Sequence, residues 1–313
     1  MSLFIGLSVV IVACDSDQPR VLASRRDREL AALPFGTFDP ELHRTFELAL
    51  RGWVKEQTGF QLGYVEQLYT FGDRDRETPE ATLLGAQPNT RVVSVGYLAL
   101  TPEAERLPDA FVARWRGWYR HFPWEDHRTG RPDMIDNLIV PRLRTWAAGH
   151  NDRWSRAALA FGVDGQDWND EGVLERYELL YEAGLVAECT RDRNLPVPEF
   201  ALGEAMVSDH RRILATAMAR LRAKVRYRPI VFELMPERFT LSDLQHTVEA
   251  VLGQTLHKQN FRRAVSKTGF VEGTGEMQSR TGGRPAELFR FARGKLKRGA
   301  ARGLGAPVIK PGS

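Results

Sequence analysis

Seven polar side chains in one short segment have the chemistry needed to hydrogen-bond to nucleic-acid bases and phosphates. The segment from about residue 257 to 268 has no acidic residue, and its apolar spacing places the seven on one outer face. They are Lys258, Gln259, Asn260, Arg262, Arg263, Ser266 and Lys267. Gln, Asn and Arg carry paired donors or acceptors that fit base edges in the major groove, and Lys and Arg neutralise phosphates. These residues predict a helix that contacts double-stranded DNA.

The pattern around this segment predicts a helix-turn-helix. A first helix is expected from about Leu241 to Leu252, because Thr240 and Asp243 have the spacing of a capping box and Gly253 follows where a helix usually ends. The second helix has an apolar stripe at i, i+3, i+4 and i+7. The stripe consists of Phe261, Ala264, Val265 and Thr268. An ordinary helical hairpin with a solvated basic face is the alternative.

A basic hairpin is predicted after the second helix, from Phe270 to Phe291. Its bend is expected at the glycines Gly273, Gly275, Gly282 and Gly283. Arg280 and Arg284 lie near the expected tip, where the wing of a winged helix touches DNA. The predicted DNA-contacting set therefore comprises Lys258, Gln259, Asn260, Arg262, Arg263, Lys267, Arg280 and Arg284.

Charge is distributed unevenly along the 313 residues. Residues 206–313 contain 21 Lys and Arg against 8 Asp and Glu, a net charge of +13. Residues 1–205 contain 23 against 32, a net charge of −9. A polyanion should therefore bind at the C-terminal end with a strong dependence on salt. The tail from residue 293 onward is basic and rich in Gly and Ala, and we expect it to be flexible.

Other composition signals exclude several classes of protein. Cys14 and Cys189 are too few and too far apart for a disulfide framework or a metal site, so we expect a reducing, cytoplasmic location and no bound metal. The apolar run at residues 2–14 is too short to span a bilayer and lacks the pattern of a signal peptide. We expect this run to be a β-strand, and no membrane segment.

The segment from residue 21 to 100 reads as strand, turn, helix and two further strands. VLASRR is a predicted strand, LPFGTFDPE a turn, and HRTFELALRGWVKEQTGF a helix that ends at Gly59. YVEQLYTFGD and TRVVSVGYLAL are strands. This series resembles the Nudix fold, and most closely the N-terminal domain of the NrtR-type regulators of NAD metabolism. Within that family, the series resembles the alphaproteobacterial branch called NadQ.

The resemblance resumes in the C-terminal third, at SDHRRILATAMARLRAKVRYRPIVFELMPERFTLSDLQ, NFRRAV and GRPAELFRF. It implies an α+β fold in which a Nudix-like α/β/α sandwich domain with a helical insertion is followed by a winged helix-turn-helix. The implied parts are a Nudix-like effector-sensing domain (1–105), a mostly helical insertion (106–205), a linker helix with the winged helix (206–292) and a basic tail (293–313). The linker helix begins near Asp209 and His210, which we expect to join the domains.

The Nudix motif requires Arg-Glu-x-x-Glu-Glu-x-Gly, whose carboxylates hold the divalent metals that activate water. Anchored on Gly59, this chain has Gly52, Trp53, Val54, Lys55, Glu56, Gln57 and Thr58 at the preceding positions. Only one of the three acids is present, with Trp53 and Gln57 in place of the others. We therefore expect no catalytic residues, and the chain is predicted not to be an enzyme.

By resemblance, the altered cleft should bind a regulatory ligand, ADP-ribose or another adenine nucleotide of NAD metabolism, and no cofactor. The residues expected to bind this effector are Phe35, Gly36, Glu56, Gln57, Phe71, Asp73 and Arg74. A homodimer on a palindromic operator, repressing genes of NAD biosynthesis or salvage, is implied. A Nudix pyrophosphatase acting on ADP-ribose or NAD-like dinucleotides is the main alternative. An RNA-binding adaptor is a further one.

Two features of the middle segment allow more than one interpretation. Its aromatic cluster, Trp115, Trp118, Tyr119, Phe122 and Trp124, could stack a base, although core packing explains it better. The stretch Tyr177–Leu185 imitates the end of a Nudix motif, but it is interpreted as an amphipathic helix whose acids are solvated. His121 and His127 lack metal-ligand spacing.

Overall fold

The computed structural model describes residues 3–15, 18–24, 30–72, 91–102, 113–196, 200, 202–278 and 285–294. Within these ranges a mixed sheet lies between a single helix on one face and a layer of helices on the other. A small two-helix domain with a hairpin follows at the C-terminal end.

Six strands form the sheet in the described residues. They are β1 (Leu3–Cys14), β2 (Pro19–Ser24), β3 (Phe35–Thr37), β4 (Tyr64–Phe71), β5 (Arg91–Leu100) and β6 (Ala113–Gly117). Their order in space is β4-β5-β1-β2-β6, with β3 also paired to β1. The central β1 is parallel to β5 and antiparallel to β2 and β3. Residues 7–13 of β1 are buried, which explains the unbroken apolar run and confirms the strand predicted there.

The sheet departs from the sequence prediction at two places. The stretch LPFGTFDPE, predicted as a turn, contains β3, whose Phe35 pairs with Ser8 of β1. Strand β6 follows residue 105, yet it is an edge strand of the sheet, paired to β2. The boundary predicted at residue 105 therefore falls within the sheet, because tertiary pairing brings a distant strand back to it.

Helix α1 (Phe46–Thr58) covers one face of the sheet. The Thr45 side chain accepts a hydrogen bond from the Leu48 N–H, and Gly59, with φ 74°, ends the helix as expected. The other face is covered by helix α6 (His210–Tyr227), the linker helix.

The segment between β6 and the linker helix is mostly helical, as expected. A π-helical turn (Ile135–Ile139) leads into α2 (Val140–Trp146), α3 (Asn151–Phe161), α4 (Val173–Glu182) and α5 (Ala187–Asp192). Its apolar residues share one continuous core with the linker helix, the C-terminal domain and one sheet face. This segment is thus packed between the other parts of the chain.

The C-terminal domain has the predicted helix-turn-helix and hairpin. Helix α7 (Leu241–Leu252) begins at a capping box of Thr240 and Asp243 and ends at Gly253, confirming the prediction. Helix α8 (Lys258–Thr268) starts one residue later than predicted. Strands β7 (Val271–Gln278) and β8 (Ala286–Phe291) form the antiparallel hairpin. A short 3-10 helix (Pro229–Leu234) connects the linker helix to this domain.

Two of the four glycines predicted at the bend of the hairpin lie in a strand instead. Gly273 and Gly275 lie inside β7, where the register shifts between Gly273 and Met277, so they serve the strand and not the turn. Gly282 and Gly283 lie outside the described residues. Across the described ranges, no helix has the length and apolar character required to cross a membrane.

Candidate nucleic-acid interface and nucleotide cleft

Helix α8 presents the predicted polar face to solvent. Phe261 and Val265 are buried against α7, at 3% and 0% exposure. All seven polar side chains of the predicted face are exposed. Within the described residues, the basic and amide side chains on this face form no hydrogen bond or ion pair. Their donors are therefore available to a ligand.

Two acids of the wing, the hairpin of β7 and β8, are paired with arginines. Glu276 of β7 pairs with Arg238 at 2.5 Å, and Glu272 lies 3.6 Å from Arg290 of β8. These pairs neutralise acids that would otherwise repel a phosphate backbone. Arg280 and Arg284, predicted near the tip, lie outside the described residues.

The helix position at which the Nudix pattern has its first acid holds a packed aromatic ring. Trp53 is 9% exposed and belongs to the core between α1 and the sheet. A Cβ atom at Gly36 would lie 2.8 Å from three atoms of the Trp53 ring. Gly36 is therefore required so that the β3 backbone can rest on the indole. The indole of Trp53 therefore occupies the position at which the Nudix pattern predicts an acid.

Gln57, the other residue that departs from the Nudix pattern, has a structural partner. Its Nε2 donates a hydrogen bond of 3.0 Å to the carbonyl of Phe35. Glu56 beside it is exposed. Glu47, farther up the helix, pairs with Arg51 at 2.8 Å. No group of three or more His, Cys, Asp or Glu side chains suited to a metal occurs in the described residues.

The predicted effector residues do not all lie together. Gly36, the backbone carbonyl of Phe35 and Gln57 meet where β3 packs on α1, and Glu56 is their neighbour on the helix. Phe71 lies on the sheet face that packs on the linker helix, and the Phe35 side chain faces the same way, with its ring 5.7 Å from that of His210, so a shared cleft stays a prediction. The period-2 pattern of a strand identifies a buried position but not which of two covered faces it joins. Asp73 and Arg74 lie outside the described residues.

His210 joins the linker helix to the cleft. The backbone N–H of Leu33 donates a hydrogen bond of 3.0 Å to His210 Nδ1, and the His210 ring centroid is 5.7 Å from that of Phe35. Asp209 precedes the helix without a side-chain capping bond. The geometry agrees with the joining role expected for this pair, and it connects the helix directly to the loop before β3.

An ion pair joins the other end of the linker helix to the sheet. Lys224 Nζ lies 2.6 Å from Glu66 Oε2 on β4, and the Tyr64 hydroxyl donates to the same carboxylate at 2.7 Å. Burial and the bond to Glu66 raise the pKa of Tyr64 above its ordinary value. A rotation of this helix would break these contacts.

A buried charge cluster that sequence reasoning missed connects the middle segment to the C-terminal domain. Glu125 accepts from Arg176 of α4 at 2.5 and 2.8 Å and from Arg222 of the linker helix at 2.6 Å, and all three side chains are fully buried. Arg222 also donates to the carbonyl of Val251 at the end of α7. Burial opposes the charge on Glu125, but the two arginines outweigh it and lower its pKa. No local pattern indicates this cluster, since its members are far apart in the chain.

The remaining candidate residues, within 106–205, take part in packing and ion pairs. Trp118, Tyr119, Phe122 and Trp124 are buried in the main core, which supports core packing over base stacking. Trp115 is partly buried on the opposite sheet face, edge-on to Phe60. In α4, the sequence interpretation placed the acids in solvent, but Glu178 accepts from Arg212 of the linker helix.

Comparison with known proteins agrees with this architecture. Residues 231–291 match the family model of the NrtR DNA-binding winged helix domain. The ADPR responsive transcriptional repressor NtrR of Acinetobacter baylyi is 44% identical over 94 residues. That stretch covers 30% of this chain and 37% of the relative, so the match spans little more than a third of that protein.

Two solved structures share the fold over most of the chain. Shewanella oneidensis NrtR complexed with a 27mer DNA has a TM-score of 0.58 at 19% identity, covering 96% of this chain and 98% of that chain. A MutT/nudix family protein from Enterococcus faecalis has a TM-score of 0.53 at 18% identity, covering 93% and 88%. The first likeness takes in the segment 106–205, which the sequence interpretation treated as an insertion. Residues 231–291 thus match the NrtR DNA-binding winged helix domain family, and the chain as a whole shares the fold seen in NrtR.

Proposed function

We propose that this protein is a DNA-binding transcriptional repressor of genes for NAD biosynthesis or salvage, and that its degenerate Nudix cleft binds an effector nucleotide related to ADP-ribose. The observation that carries the proposal is the exposed, acid-free face of α8 within a winged helix of the NrtR family. The printed name of the Acinetobacter relative, an ADPR responsive repressor, supports the choice of effector.

Repression, not hydrolysis, is favoured by the chemistry of the cleft. Metal-assisted cleavage of a pyrophosphate requires several carboxylates to hold divalent ions. In α1 the positions of two acids hold Trp53, which is packed under Gly36, and Gln57, which is bonded to a backbone carbonyl. Glu56 alone supplies too few oxygen ligands. Restoring hydrolysis would therefore require repacking this part of the core.

The effector is proposed to bind near Phe35, Gly36, Glu56 and Gln57, with Asp73 and Arg74 from the segment that follows β4. Phe71 packs on the sheet face that the Phe35 side chain also occupies, and its part in binding the effector stays a prediction. Near these residues, His210 contacts the backbone of Leu33. A ligand that shifts β3 would therefore act on the linker helix, which leads to the winged helix.

Two winged helices related by a twofold axis are proposed to read a palindrome. Each α8 would enter one major groove, with half-sites about one helical turn, or 34–36 Å, apart. The homodimer and the cytoplasmic location both stay predictions.

A selection experiment tests the function. The full chain is incubated with random-sequence duplexes, the bound DNA is amplified, and the recovered operator is compared with a shuffled duplex in a gel shift with and without ADP-ribose. We expect a palindromic operator, tight binding and a change in affinity on adding ADP-ribose. Recovery of no preferred sequence, together with magnesium-dependent release of AMP from ADP-ribose, would support the pyrophosphatase instead.

A further inference from the structure

The polar face of α8 consists of two rows with different surroundings. With about 100° of rotation per residue, Gln259 and Arg263 lie opposite the buried Phe261 and Val265 and form the outermost row. Lys258 and Arg262, one turn apart, lie on the flank of the helix. A helix seated in the major groove turns its outermost row toward the base edges and its flank toward a backbone strand.

The flank of α8 borders a groove with walls from three elements. Lys258 and Arg262 line one side, residues 240–242 at the start of α7 line another, and residues 285–287 of the wing line the third. The groove has a volume of about 540 Å³, and Phe289 also lines it. This space can admit a phosphate group, and two cations point to an anion as its occupant.

The acids around the groove do not neutralise the two cations. Asp243 is engaged in the capping box, where it accepts from the Thr240 backbone and hydroxyl at 2.9 and 2.8 Å. Glu287 lies over Gly273 of the neighbouring strand, since a Cβ at Gly273 would almost touch its carboxylate. Like charges at i and i+4 repel each other in a helix. A bound phosphate would relieve the repulsion between Lys258 and Arg262.

We propose that Lys258 and Arg262 hold one backbone phosphate of the DNA in this groove, whatever the sequence, and that Gln259 and Arg263 read the bases. The inference rests on the proposed DNA-binding function and divides the recognition helix into anchoring and specificity-determining residues. A phosphate contact releases counterions and contributes equally on any duplex, whereas a base contact distinguishes one sequence from another.

The test measures the dissociation constants of four single alanine variants for the selected operator and for a shuffled duplex between 50 and 200 mM salt. Lys258→Ala and Arg262→Ala should each weaken binding to both duplexes by the same factor. Each should also lower the slope of log affinity against log salt by about 1. Gln259→Ala and Arg263→Ala should reduce the preference for the operator by roughly 5- to 150-fold.

Two further variants control for charge and folding. Arg156→Ala removes an exposed arginine that pairs with Glu182 far from the groove, and it should change neither affinity nor slope. Glu287→Gln removes an acid from the groove wall and should tighten binding to both duplexes equally.

The inference is overturned if Arg262→Ala reduces the preference for the operator, because Arg262 would then read a base. It is also overturned if Lys258→Ala and Arg262→Ala leave the salt slope unchanged. Failure of the wild-type chain to bind any duplex would instead reject the proposed function, so the two failures are distinguishable.

Discussion

At the scale of single residues, Trp53 and Gly36 show how two residues far apart in the chain pack as a pair. The indole fills the space between α1 and β3, and Gly36 is the residue that allows the strand to rest on it. A carboxylate at residue 53 would be buried among apolar groups unless a metal accompanied it. The pair Gly36 and Trp53 therefore acts as one packing unit.

Replacing Gly36 with Ala should destabilise the fold by about 1–3 kcal/mol, because the added methyl overlaps the indole. The matched change is Gly52→Ala in α1, where nothing lies within 4 Å of the added atom. Alanine there should stabilise the helix by about 0.5–1 kcal/mol. Urea unfolding of both variants measures the difference. If the cost of Gly36→Ala is the same in a Trp53→Leu background, the indole is not the obstacle.

A second residue-scale prediction concerns His127, whose ring lies 4.0 Å from that of Trp168. Burial lowers the pKa of His127 to about 4 in the folded chain. The unfolded chain therefore binds the proton first as pH falls below about 6.5. Stability contributed by the neutral ring is present above that pH and is lost as the pH falls toward 4.

The free energy of unfolding should therefore drop by about 1–2 kcal/mol from this group between pH 7.5 and pH 5. Urea unfolding at the two pH values, compared with the same measurement on His127→Gln, isolates the contribution. An equal pH dependence in the wild type and the variant would show that His127 titrates normally.

At the scale of secondary-structure elements, the linker helix α6 makes the contacts that hold the parts of the chain together. His210 bonds to the loop before β3, Lys224 pairs with β4, and Arg222 reaches the end of α7. These contacts lie along one 18-residue helix. Its movement relative to the sheet would therefore be transmitted to the winged helix.

Removing the acid from the buried cluster should be severely destabilising. Glu125→Leu leaves Arg176 and Arg222 charged, buried and without their carboxylate, at an expected cost of about 3–5 kcal/mol. Glu182→Leu breaks the exposed pair with Arg156 and should cost less than about 1 kcal/mol. Midpoints of urea unfolding compare the two variants. Similar losses would mean that the buried cluster adds no more than a surface ion pair.

At the scale of the whole molecule, an acidic N-terminal part is joined to a basic C-terminal part through a continuous core. Residues 1–205 have a net charge of −9 and residues 206–313 a net charge of +13. The acidic part should be repelled by DNA, which orients the chain so that α8 approaches first. The shared core means that the winged helix is not an independent, flexibly tethered unit.

If the linker helix transmits the effector signal, breaking its ion pair with the sheet should weaken that signal. Lys224→Gln and Glu66→Gln should each reduce the effect of ADP-ribose on operator affinity by about fivefold, equivalent to about 1 kcal/mol of coupling. Operator affinity without ADP-ribose should change little. Gel-shift titrations of the wild type and of each variant, with and without ADP-ribose, supply the operator affinities. Arg156→Gln is the control. An unchanged effect in both variants would place the coupling elsewhere.

The sequence by itself determined the elements whose signals are local. The limits of α7 follow from Thr240, Asp243 and Gly253, which act within one turn of the helix ends. The exposed face of α8 follows from an apolar stripe with helical spacing. The end of α1 at Gly59 was readable for the same reason. Caps and periodicity involve residues a few positions apart, so a single sequence contains them.

Tertiary structure alone decided which distant residues meet. Glu125 is 51 residues from Arg176 and 97 from Arg222, and only folding brings the three charges into one buried cluster. The same holds for β6, which returns to the sheet beyond the predicted boundary, and for Phe71, which packs in the core shared with the linker helix. Periodicity indicates that a residue is buried, but the partner depends on how the layers pack. Burial removes the hydration of a charged group, so a buried charge is stable only beside its partner. The packing of the layers therefore decides which charges can be buried.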